Sequence, residues 1–334
     1  MKICIERSDR MGDMILTLPI IQGIKEKNPK ASIDVVASKK NLKICELSNL
    51  INKTYEKTNN SSDFKQLTKS IRNEKYDYYF SFSPSWFGLC LGYYSKSKFK
   101  SALILQSRYK SNFFSKLWQI IFSKIFFSQS KVINRFKSLR ENHDIHQTKM
   151  MMEVILNSGI NLDKSNESKF AFTNAFTIKK DQKVCVIHLS SKWINKYYEE
   201  DNFLELLKTL ENKNLRIYLT TDETTKSKFD KIFTLYSSTD KPSDLINNNK
   251  QILLCDNFDF ENWTSLLNQA DYSITPESGC THIASLTNSK LCVIYDSDNL
   301  PKSIMREYAP WNKEYLALET NDIGINKKLL NFVE

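Results

Sequence analysis

Strand-like and helix-like stretches alternate along this chain, and the alternation occurs twice. In the first half KICIE, SIDVVAS and YDYYFSFS (76–83) are short, buried-strand runs, and a helix is expected over 14–27. Such alternation calls for a parallel sheet with crossover helices. The stretch 141–160 reads as one helix closing this half, with Gly159 as its stop. After a polar, aperiodic stretch a second series begins at KVCVIHLS (183–190) and runs through LRIYLTT, QILLCD, DYSIT and KLCVIYD. Helices are expected between them over 199–212, 224–236, 260–270 and 280–288. The reading is an α/β chain of two Rossmann-like domains, 1–165 and 183–334, with a linker over 166–182. Ligands are expected in a cleft between the domains. A last helix near 324–332 is a candidate to pack back on the N-terminal domain.

Length and composition fit two folded domains: 334 residues, 41% hydrophobic and 12% aromatic. Seven cysteines (4, 45, 90, 185, 255, 280, 292) include no CxxC pair and read as buried, reduced thiols of a cytosolic protein. No signal peptide is visible, and no run reaches the length of a membrane span. The net charge of +10 is concentrated: residues 96–140 hold eleven Lys or Arg and no acid, which leaves 37 basic and 38 acidic residues elsewhere. Within that segment Phe114, Leu117, Trp118, Ile121 and Ile125 recur at helical spacing, with Ser115, Lys116, Gln119 and Ser123 on the other side. A basic amphipathic helix rich in aromatics suits an anionic lipid surface, and equally an ordinary core helix with a solvated basic face. No nucleic-acid recognition motif accompanies the charge.

Glycine is scarce, and its positions exclude two nucleotide loops. Glycines at 12, 23, 88, 92, 159, 279 and 324 form neither GxGxxG nor GxxxxGK[ST]. Three other stretches carry the candidate chemistry. SDRMGD follows the first strand and places Asp13 where open α/β sheets put their active sites; an N-cap is the structural alternative. ITPESGCTHIAS places Ser278 and Gly279 at a helix start suited to an anion, with Thr281 and His282 just inside. IHLSSKWINKYYEE places Ser190, Ser191, Lys192 and Lys196 after the first strand of the second half, where hydroxyls and ammonium groups suit a pyrophosphate. Asp296-Ser297-Asp298 and His143-Asp144-Ile145-His146 offer too few clustered ligands for a metal site.

Taken together these stretches resemble glycosyltransferase family 9, the heptosyltransferases of lipopolysaccharide core synthesis. The family's R-x-D-x-x-G-D-x-x-x-x-x-P is similar to Arg7 through Pro19, and its D-[ST]-G-x-x-H-x-A to Glu277 through Ala284. The resemblance implies a GT-B fold, with the acceptor on the first domain and a nucleotide-diphosphate sugar on the second. It implies that Asp13 is the general base of an inverting, metal-independent transfer, with Arg10, Gly12 and His143 on the acceptor side. Donor contacts implied are Ser190, Ser191, Lys192, Lys196, Phe258, Glu277, Ser278, Gly279, Thr281 and His282. Lys196 is favoured over Lys192 for the diphosphate, and Glu277 replaces the family's usual Asp. The partners implied are ADP-heptose or another NDP-sugar and an anionic lipid-linked glycan, met by a monomer at the cytoplasmic face of the bacterial inner membrane, with segment 96–140 on the membrane surface. A nucleic-acid or anionic-ligand binding protein using 96–140 is the rival reading.

Overall fold

The computed structural model describes residues 1–83, 85–106, 113–141, 143, 145–163, 170–179, 181–221, 225–247 and 250–334. They form two units, Met1–Ala171 with Arg306–Ala309, and Phe172–Met305 with Pro310–Glu334. Part of the expected linker, 166–169 and 180, lies outside the described residues.

The first unit is built on β1 (Lys2–Arg7), β2 (Ser32–Ala37), β3 (Lys53–Glu56), β4 (Tyr78–Ser81), β5 (Phe99–Gln106) and β6 (Gln129–Asn134). These strands form one sheet, ordered β3-β2-β1-β4-β5-β6, and every pairing is parallel. Cys4, Val36, Tyr79, Leu91 and Ile104 are in its core. The second unit holds β7 (Lys183–His188), β8 (Leu215–Thr220), β9 (Ser238–Thr239), β10 (Ile252–Cys255), β11 (Tyr272–Pro276), β12 (Lys290–Tyr295) and β13 (Tyr315–Glu319). Its order is β13-β12-β11-β7-β8-β10-β9, again parallel. Helices cover parallel sheets on both faces, so the central strands read as unbroken apolar runs. In each sheet the order reverses beside the unit's first strand, β1 or β7. The carboxyl ends at that reversal are where doubly wound sheets leave a crevice.

Several helices differ from the sequence expectation. The helix expected over 14–27 is two, Met11–Ile15 and Leu18–Lys27, because Pro19 suits only a first turn and restarts the helix. The helix expected over 141–160 spans Gln147–Asn157, where the His146 side chain accepts from the Thr148 N–H and caps the start. The last helix is Ile325–Phe332. Its Ile325 and Leu329 are in the second unit's core with Leu206, Leu207 and Phe203.

The largest departure is in segment 96–140, which contributes β5 and β6 to the sheet. The Phe113–Phe126 helix between them turns its polar side inward: Gln119 and Ser123 are buried, while Trp118 is 67% and Ile125 65% exposed. Polar side chains can be buried there because they are satisfied locally. Ser123 donates to the Ile120 carbonyl at 2.9 Å, and Gln119 accepts from Lys116 at 3.0 Å. At least three of the segment's eleven basic residues are also paired, Lys98 with Asp77, Lys131 with Glu153 and Arg135 with Glu307. Among the described residues no helix is long and apolar enough to cross a membrane.

Candidate functional site

At the order reversal of the first sheet, β1 ends in Arg7, which is 1% exposed. Its guanidinium organises the turn that follows. NH2 donates to Asp13 Oδ1 at 2.9 Å, Nε to the Asp13 carbonyl at 3.2 Å, and NH1 to the Phe82 carbonyl at 2.5 Å. Asp9 Oδ1 lies 3.3 Å from Nε. The other Asp13 oxygen, Oδ2, takes a long bond of 3.4 Å from the Arg10 backbone N–H. Asp13 therefore sits in the first turn of Met11–Ile15, fixed on one oxygen by a buried cation. Gly12 is helical and buried beside it, and Arg10 is exposed.

Three carboxyls crowd this strand end. Burial pushes Glu6 up to about 7, opposed by hydrogen bonds from Ser8 and Ser81. Asp9 is also raised by burial, against the pull of Arg7. Burial disfavours the charged form of Arg7, but Asp9 and Asp13 outweigh it and hold the guanidinium more firmly protonated than usual. A buried arginine is retained there because acids compensate its charge.

At the corresponding reversal of the second sheet, the ends of β7 and β11 meet. Lys192 Nζ donates to the Glu277 carbonyl at 2.5 Å and to its carboxylate Oε2 at 2.6 Å. Trp193, fully buried against Tyr198 and Phe203, pulls the loop onto the core and directs its neighbour Lys192 toward Glu277. Asn195 fixes the far side of the loop by donating to Asp296 and Thr320 at 3.1 and 3.0 Å. Lys196 instead lies at the surface, 2.9 Å from Asp298. Asp296-Ser297-Asp298 thus ties two loops together.

After β11, Ser278 caps the Gly279–Ser285 helix by accepting from the Cys280 N–H at 3.2 Å. Thr281 is wholly buried and donates to the Pro276 carbonyl at 2.8 Å, so its hydroxyl is occupied in holding the turn. His282 is buried on the same helix. Ser190 is half-buried and Ser191 exposed at the tip of β7.

The model of glycosyltransferase family 9 (heptosyltransferase) matches residues 64–328. The chain belongs to glycosyltransferase family 9. Solved structures agree in fold along its whole length. A family 9 glycosyl transferase from Veillonella parvula is 14% identical, with all of this chain and 90% of that one covered and a TM-score of 0.73. The ADP-heptose lps heptosyltransferase II of E. coli is 13% identical, with 100% and 97% covered and a TM-score of 0.73. E. coli heptosyltransferase WaaC with ADP gives 13% identity, 100% and 99% coverage and the same TM-score, 0.73. No curated protein matches significantly by sequence. The two parallel-sheet units are those of a GT-B glycosyltransferase.

In this family 9 enzyme the expected residues fall into two groups, one at each order reversal: Asp13 with Arg10 and Gly12, and Lys192 with Glu277, Ser278 and Gly279. Phe258 is half-buried in the loop after β10, edge-on to Phe176 with centroids 6.4 Å apart. His143 is exposed before the Gln147–Asn157 helix, 3.8 Å from Glu141, and Asp144 lies outside the described residues. His146 Nδ1 accepts from Thr148 and its Nε2 faces the Ala309 carbonyl at 3.0 Å, which sets the neutral Nε2–H tautomer. Two residues bonded around Asp13 were not among the candidates read from the sequence. Arg7, although quoted in the motif, was not assigned a role, and Gln147, whose Oε1 accepts from Arg7 at 3.3 Å, gave no local signal.

Proposed function

We propose that this glycosyltransferase moves a heptose or related sugar, with inversion, from an ADP- or other NDP-sugar onto a lipid-linked surface glycan. Asp13 removes the proton from the acceptor hydroxyl as that oxygen bonds to the anomeric carbon and the bond from that carbon to the diphosphate breaks. The observation that carries the reading is the position of Asp13: end of β1, one oxygen fixed by Arg7, the other only weakly held. An oriented carboxylate suffices, because the hydroxyl acidifies as its oxygen forms the new bond.

Lys192 is the cation for the departing diphosphate, in preference to Lys196, because it stands at the end of β11 beside the Ser278 turn. Its contact with Glu277 would be exchanged for phosphate oxygens when the donor binds. Glycosyl transfer then needs no divalent ion at this position. The ADP held by the E. coli neighbour supports an adenine nucleotide as the first donor to test. The exposed aromatic stripe of Phe113–Phe126 supports docking on the cytoplasmic leaflet, where a lipid-linked acceptor would be met.

Asp13→Asn tests the central step. ADP release from ADP-heptose is expected to fall by about a hundredfold or more, with ADP affinity unchanged by calorimetry. Near-native turnover in that variant would remove Asp13 from the role.

A further inference from the structure

Arg306–Ala309 belongs to the first unit although the residues on both sides of it belong to the second. This short segment grips two successive residues at the start of the Gln147–Asn157 helix. The Ala309 carbonyl meets His146 Nε2 at 3.0 Å, and Glu307 Oε1 accepts from Gln147 Nε2 at 2.7 Å. Glu307 is completely buried and is ion-paired with Arg135, whose side chain is 16% exposed. Gln147 is 1% exposed, and its amide is used at both ends: nitrogen to Glu307, oxygen to Arg7. The next residue, Thr148, donates to the Leu16 carbonyl at 3.0 Å, just past the helix that carries Asp13.

We propose that Glu307 is a positioning residue for Asp13, acting through Gln147 and Arg7. The inference rests on Asp13 being the general base. The polarity of the chain is determined at every link. A carboxylate can only accept, so Glu307 forces the NH2 of Gln147 toward itself and the amide oxygen toward Arg7. An oxygen there suits guanidinium NH2, which then keeps its second hydrogen on Asp13 Oδ1. With Glu307 neutralised the amide loses its charged acceptor and keeps only the longer 3.5 Å contact of its nitrogen with the Tyr308 hydroxyl, and a flipped Gln147 would set NH2 against NH2. Arg7 would then turn, and Asp13 Oδ1 would lose its fixed donor. Arg135 balances the buried Glu307, which leaves the relay directional without an uncompensated charge. Buried polar chains of this kind orient their members through such fixed donors and acceptors, here Glu307 to Gln147, Gln147 to Arg7 and Arg7 to Asp13. Placement matters at this level because a displacement of about 1 Å can cost a hundredfold in rate.

The test uses the whole enzyme with arginine side chains labelled by nitrogen-15. In the native protein the Arg7 Nη protons, assigned by their loss in Arg7→Lys, are expected as resolved signals, because four acceptor atoms lock the guanidinium. In Glu307→Gln and in Gln147→Leu they are expected to collapse by rotation. Gln147→Leu keeps the Glu307–Arg135 pair and so remains informative if Glu307→Gln folds poorly. Arg7 signals that stay native in both variants would overturn the linkage. In parallel, ADP release from ADP-heptose with water as acceptor is expected to drop about tenfold or more in kcat with donor KM little changed. The same substitutions placed on Asp13→Asn are expected to cause no further loss, because the relay acts only through that carboxylate. Full kcat in both variants, beside an inactive Asp13→Asn, would overturn the positioning role. Full activity in Asp13→Asn itself would sink the general-base reading instead, and the Arg7 signals would then decide the Glu307–Arg7 linkage by themselves.

Discussion

The two lysines in the loop after β7, of which the resemblance favoured Lys196, have different surroundings. Lys192 is half-buried beside Glu277, whereas Lys196 is at the surface against Asp298. A hydrogen bond to a charged group is worth about 1.5–3 kcal/mol. Lys192→Met is therefore expected to weaken ADP binding about tenfold or more, and Lys196→Met by less than about threefold. Isothermal titration of both variants checks the difference, and the reverse ranking would restore Lys196. Glu6 makes a second residue-scale prediction. Its folded value near 7 is above the unfolded carboxylate value, so it stabilises the fold in acid and loses that contribution as pH rises through about 7. Glu6→Gln can keep the Ser8 and Ser81 bonds, and its melting temperature is expected to gain on the native protein between pH 5 and pH 8. A constant difference across that range would contradict the buried, protonated state.

At the scale of elements, the Phe113–Phe126 helix shows why periodicity alone does not choose a face. Its spacing marked Leu117, Trp118, Ile121 and Ile125 as one apolar side, and packing left most of that side in water. The helix and its neighbour Trp86–Ser95 meet instead through Phe122, which lies edge-on to Trp86 and Tyr93 at 5.6 and 6.0 Å. Exposed Trp118, Ile121, Ile125 and Phe126, close in sequence to Lys124, form a surface suited to a lipid interface. Trp118→Gln with Ile125→Gln is expected to reduce co-sedimentation with anionic vesicles about tenfold or more, since full burial of each is worth about 1.5–3 kcal/mol. The same variant should melt within about 1 °C of the native protein, because nothing in the core is lost. A large fall in melting temperature would mean that the stripe packs against protein.

Over the whole molecule, the two sheets have separate cores, and each holds its candidate residues at its own order reversal. A nucleotide bound at Lys192 should stabilise the second unit by about 2.7 kcal/mol at a hundred times its dissociation constant. ADP is thus expected to move the calorimetric transition of that unit upward, and UDP or GDP to move it less. Equal shifts with all three would argue against an adenine preference. Much of this molecule was legible in its residues. Apolar runs such as KVCVIH and KLCVIY can only be buried strands of a parallel sheet, and the order of motifs around Asp13 and Ser278 was enough to suggest the family. Local chemistry determined those features: strand propensity and a cap at Ser278. What the tertiary structure alone decided depends on residues distant in the chain. The contact of Lys192 was decided by a carboxylate 85 positions away, the face of Phe113–Phe126 by which side chains could satisfy themselves inside, and the surroundings of Arg7 by Gln147, itself bonded to Glu307. No periodicity encodes such contacts, because they form only after both sequence-distant partners have been brought to one strand end.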